Sequence, residues 1–127
     1  MVTEPEDDAL QGQQRKFQKE LNAGIVSLIL LSTMGEAKEP LYGYQIAKQL
    51  ELEGAGASVM KQGTLYPVLR SLCAAGLLDS KVEPSVSGPP RRYYHITEAG
   101  QTVLAQWKDA WVSTRDFVDS ILRGSKL

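Results

Sequence analysis

Histidine and cysteine are almost missing from this sequence: its 127 residues hold one of each, His95 and Cys73. A lone cysteine cannot close an internal disulfide, and such a chain suits a reducing, cytosolic setting. No second ligand stands near either residue at metal-site spacing, so both point to structural roles and no cofactor is expected. A glycine-rich phosphate loop is lacking too, since Gly54-Ala55-Gly56 follows no strand and lacks the Lys-Ser/Thr ending. With no catalytic constellation, an enzyme is not expected. Nor is there a long apolar run. The longest, 25–31, is broken by Ser27 and falls well short of the roughly 20 residues that span a bilayer. The sequence opens on Glu4, Glu6, Asp7 and Asp8, where a secretory signal would place basic residues before an apolar run. A cytoplasmic protein without a membrane partner is the expectation.

What is present is an ordinary globular composition, 43% hydrophobic and 23% charged, enough for one modest core. The net charge of −1 argues against nucleic acid, but its distribution does not. Residues 1–8 carry four acids and no base, whereas residues 61–95 carry Lys61, Arg70, Lys81, Arg91 and Arg92 against Asp79 and Glu83.

Along the chain, 1–11 is acidic, polar and expected to fray. Leu21, Ile25, Leu28 and Ile29 recur at helical spacing and predict a helix over about 13–34, with Gly35 as its stop and a loop over 36–40. A second helix is predicted over 44–52, followed by the flexible run 54–58. The third has the clearest pattern: Thr64 as N-cap, Pro67 in the first turn, then Leu65, Val68, Leu69, Leu72 and Cys73 on one face, and Gly76 as C-cap. Strands over 77–83 and 92–97 flank the Pro/Gly/Ser loop 84–90, with Tyr94 and Ile96 on one face and Tyr93 and His95 on the other. Thr97 can cap a long helix over 98–122 whose apolar stripe includes Trp107 and Trp111 and calls for a partner. The order helix, helix, helix, strand, strand, helix predicts a mostly α winged helix-turn-helix with a small β-hairpin. It divides into a tail (1–11), a DNA-binding domain (12–97) whose first helix also joins the dimer interface, and a C-terminal dimerisation helix (98–127).

In such a motif the second helix of the pair enters the major groove. Tyr66 and Arg70 point away from its apolar face, and Lys61, Gln62 and Thr64 stand at its entrance. These side chains suit phosphates and base edges, though they would also serve as a solvated surface. Arg91 and Arg92, beside a loop stiffened by Pro89-Pro90, could reach a minor groove or its phosphates, or be surface charges flanking a turn. Trp107 and Trp111 share a helix face and fit either a dimer core or a site for a flat aromatic ligand.

YGYQIAKQL at 42–50, GTLYPVLRSL at 63–72, AGLLDS at 75–80 and GPPRRYYHITEAG at 88–100 resemble the PadR family of transcriptional regulators over about residues 20–122. The resemblance implies a winged helix followed by a dimerisation region. The 30 residues after Thr97 match the short branch of the family, whose last part is one helix. It implies a homodimeric repressor on an inverted-repeat operator, with the family's DNA-contacting tyrosine at Tyr66 and its basic wing residues at Arg91 and Arg92. It also places at Trp111 the tryptophan that stacks on planar drugs in multidrug-sensing members. Two features depart from the pattern: Cys73 stands where an acidic residue is common, and the acidic N-terminal extension is atypical, able to weaken DNA binding by repulsion. The alternative from another class is a winged helix used only for protein–protein assembly.

Overall fold

The computed structural model describes residues 5–52 and 62–124. The first helix, α1, runs over Pro5–Glu36. It starts earlier than the apolar spacing marks, so most of the stretch expected to fray is helical. The cause is local. Proline is at home at a first helical position, and Glu6, Asp7 and Asp8 lie in the first turn, where carboxylates oppose the positive end of the helix dipole. Gly35 does not stop this helix; its Cα faces the last helix, and a Cβ there would stand 2.7 Å from Leu104 Cδ2.

A two-residue strand, β1 (Leu41–Tyr42), leads directly into α2 (Gly43–Leu52). The Gln45 side chain accepts from the Tyr42 N–H at 3.0 Å, satisfying a backbone donor at this helix start. The third helix, α3, spans Gln62–Ala74. It begins before Thr64, which is therefore a first-turn residue and not the N-cap that the sequence suggests. Pro67 becomes its sixth residue, where it removes the donor that would meet the Gly63 carbonyl. At the other end Gly76 adopts φ 78°, its N–H donates to Cys73 and the Leu77 N–H donates to Leu72, a Schellman ending sealed by two core leucines.

β2 (Leu78–Glu83) and β3 (Arg91–Ile96) form the hairpin, and β1 adds to the free edge of β3, giving the antiparallel order β1-β3-β2. The third strand escapes the sequence reading because two residues show no period. α4 (Glu98–Leu122) follows at once. Thr97 caps it, accepting from the Gly100 N–H at 2.9 Å. The same hydroxyl donates to the Gly76 carbonyl at 2.7 Å.

One core joins all of these elements. It is built from Val26, Leu30, Leu31 and Met34 of α1, Ile46 and Leu50 of α2, Leu65, Leu69 and Leu72 of α3, then Leu77, Leu78, Tyr94 and Leu104. Beyond this core both long helices continue with apolar side chains in the open: Leu10, Phe17 and Leu21 on α1, and Trp111, Val112, Phe117, Val118, Ile121 and Leu122 on α4. Among the described residues no helix is long and apolar enough to cross a membrane.

Candidate nucleic-acid interface

Leu65, Leu69 and Leu72 anchor α3 in the core, and the helical period therefore turns Tyr66, Pro67, Arg70 and Ser71 outward. Tyr66 is 45% exposed and rests against the start of α2: a Cβ on Gly43 would stand 2.5 Å from its hydroxyl oxygen. The ring is thus held by the first helix of the pair, and only glycine leaves room for it. Arg70 follows one turn later and is exposed. Thr64 is half-buried, Gln62 opens the helix, and Lys61 lies outside the described residues.

The hairpin places its two arginines on opposite faces, because successive side chains of a strand alternate. Arg92 shares a face with buried Tyr94, toward α3, and donates from Nη1 to Ser80 Oγ at 2.9 Å. Arg91 shares the other face with Tyr93; its guanidinium lies 4.5 Å above the Tyr42 ring, which meets Tyr93 edge-on at 5.4 Å. Tyr44, 62% exposed, stacks loosely on Tyr42 at 6.4 Å. Ser80, Tyr42 and Tyr44 escape the sequence reading. Ser80 could be found only from the strand register, which sets it opposite Tyr94.

The electrostatics of this corner follow from burial. Burial pushes the Cys73 thiol above its ordinary value of 9.0; a hydrogen bond with Ser80 pulls the other way, Asp79 adds to the rise and Arg92 opposes it. Burial likewise raises Tyr94 above 10.0, with Cys73 adding to the rise and Arg92 and Arg70 among the smaller opposing influences. Both groups are therefore neutral at physiological pH, and the positive charge here belongs to the arginines. His95 Nε2 lies 3.8 Å from Asp79 Oδ2 on the exposed face. Among the described residues no group of three His, Cys, Asp or Glu side chains could hold a metal ion.

The two tryptophans part company. Trp107 packs against the core of its own chain, whereas Trp111, one turn later, is 41% exposed at the start of the open apolar row.

The transcriptional regulator PadR-like family matches residues 30–106, which include α2, α3, the whole sheet and the first turns of α4. Among solved structures, a PadR family transcriptional regulator from Eggerthella lenta is 32% identical, with a TM-score of 0.75 over 90% of this chain and 96% of that one. A transcriptional regulator from Clostridium thermocellum is 28% identical, with a TM-score of 0.70 over 80% and 96% of the two chains. A PadR-like transcriptional regulator from Bacillus cereus is 27% identical, with a TM-score of 0.67 over 84% and 99%. No curated protein matches the chain.

Proposed function

The chain belongs to the PadR-like family of transcriptional regulators, a family of DNA-binding proteins and not of enzymes, and from that premise we propose that it is a homodimeric repressor binding an inverted-repeat operator. The observation that carries this reading is the outward face of α3, where Tyr66 and Arg70 stand beside a wing that supplies Arg92. Thr64 lies in the first turn of this helix, and Gln62 and Lys61 precede Thr64 in the sequence, residue types that suit phosphates and base edges. Arg91 stands at the base of the same wing.

A twofold partner is supported by the rows of exposed large apolar side chains on α1 and α4, of the kind that mark an interface. Pairing these helices would set two copies of α3 at a fixed spacing, which is how a symmetric protein reads a symmetric site.

An effector enters the same reading. Trp107 is engaged in its own core and Trp111 is not, so Trp111 carries the planar-ligand proposal and Trp107 lends it support from behind. A flat aromatic molecule between two Trp111 rings would relieve repression if it favoured a helix spacing that the operator does not.

A gel shift on the region upstream of the protein's own gene, repeated across salt concentrations, tests the reading. Specific binding that weakens steeply with salt is expected. Absence of any binding would favour a winged helix used for protein assembly.

A further inference from the structure

The two adjacent arginines of the wing have different neighbours, and the difference reaches beyond the arginines themselves. We propose that Ser80 is a positioning residue for DNA binding: its hydroxyl holds the Arg92 guanidinium on the α3 side of the wing, while Arg91 acts as a clasp through Tyr42 and makes no phosphate contact. The proposal rests on the DNA-binding reading above.

Three observations carry it. The register sets Ser80 opposite Tyr94 and Val82 opposite Arg92, so Ser80 and Arg92 are diagonal neighbours on the face turned toward α3. Ser80 Oγ accepts from Arg92 Nη1 at 2.9 Å, on the hairpin that packs against α3. The serine, placed by the strand register, thus fixes the arginine. The other guanidinium N–H groups of Arg92 make no hydrogen bond to the described residues, which leaves them for an anion.

Arg91 is committed differently. Its charge lies on the Tyr42 ring, with Tyr93 packed edge-on against that ring. Tyr42 directly precedes α2, so this contact ties the base of the wing to the first helix of the pair. This contact holds the Arg91 charge over Tyr42, on the face of the wing turned away from α3.

The chemistry separates the roles. A phosphate-binding arginine releases counterions, so its loss lowers the slope of log K against log salt. A positioning residue leaves the charge in place, so its loss weakens binding and leaves the slope. Binding to duplex DNA from the upstream region is measured by fluorescence anisotropy across salt for the full-length wild type, Arg91→Gln, Arg92→Gln, Ser80→Ala and Ser80→Thr. Arg92→Gln lowers the slope by about 0.9 for each subunit bound, and Arg91→Gln leaves it unchanged. Ser80→Ala weakens binding roughly two- to tenfold per subunit, the gain from ordering one long side chain in advance, at an unchanged slope. Ser80→Thr, which keeps the hydroxyl, restores it. Equal slope losses from the two arginine variants, or wild-type affinity in a folded Ser80→Ala, overturn the proposal. If the wild type binds no DNA, the functional reading fails and takes this inference with it. Should Ser80→Ala not fold, the guanidinium signals of Arg92 in DNA-free wild type decide: a resolved, slowly exchanging set is expected, and signals averaged like those of exposed Arg123 overturn it.

Discussion

The Tyr66 ring lies over Gly43 so closely that a Cβ there would stand 2.6 Å from Cε1 and 2.8 Å from Cζ. The glycine that starts α2 thus sets the orientation of the most prominent side chain of α3. Gly43→Ala pushes the ring outward. The expected cost is about 1–3 kcal/mol of stability, as for other overpacked contacts, together with weaker operator binding. Tyr66→Phe fits the same space and keeps its stability, losing roughly 1 kcal/mol of binding per subunit for the hydroxyl. Urea denaturation and anisotropy check the pair.

Thr97 and Gly100 make a second tight place. The Thr97 hydroxyl caps α4 and also bonds the end of the α3 turn, so Thr97→Ala is expected to cost about 1–2 kcal/mol in urea denaturation. Gly100→Ala costs more. Its Cβ would run into the Leu77 carbonyl, which is backbone and cannot swing aside. A variant as stable as the wild type would show that the packing of Gly100 against Leu77 is looser than described.

The tryptophans give a paired test. Trp107→Ala lowers the unfolding free energy by about 2 kcal/mol, below the 3–5 kcal/mol of a fully buried ring because Trp107 is only partly covered. Trp111→Ala removes most of the fluorescence quenching by planar cationic dyes. Unchanged wild-type fluorescence with a broad dye panel removes the effector from the proposal.

Stability is expected to fall in alkali. Cys73 and Tyr94 both have native values raised above their ordinary 9.0 and 10.0, chiefly by burial. The folded state then holds these protons more tightly than the unfolded chain. Their contribution is complete below the ordinary values and is lost as pH rises through the raised ones. Urea midpoints should be level from neutral pH to about 9 and decline above it, and Tyr94→Phe should remove the later part of the decline.

The parts legible in the sequence are those written in a repeating period. α3 shows its buried face through Leu65, Leu69 and Leu72, and β3 shows its two faces through Tyr94 and His95. Where a boundary depends on a cap, the reading drifts: α3 begins at Gln62 and not after Thr64, and α1 gains its first turns from acidic residues that carry no apolar signal. Contacts between elements leave no trace in one sequence. Nothing at Gly35 or Gly43 says that one glycine faces Leu104 and the other Tyr66; the first reads as a helix stop and the second carries no signal. The separation of Arg91 from Arg92 is implicit in strand alternation, but which face meets α3 depends on the pairing.

The joint at Thr97 also has a mechanical meaning. The turn that ends α3 and the first turn of α4 bond to one hydroxyl, so a tilt of α4 about that point would be felt at the end of α3. Trp111 lies 14 residues beyond Thr97, an arm of about 21 Å at the helical rise. A sideways displacement of roughly 2 Å at that ring, about the thickness gained by admitting part of a flat molecule, tilts the arm by about 5°. In the proposed dimer that tilt, carried through the joint, would reach α3 and its copy in opposite senses, while the distance between two adjacent major grooves would not change to follow them.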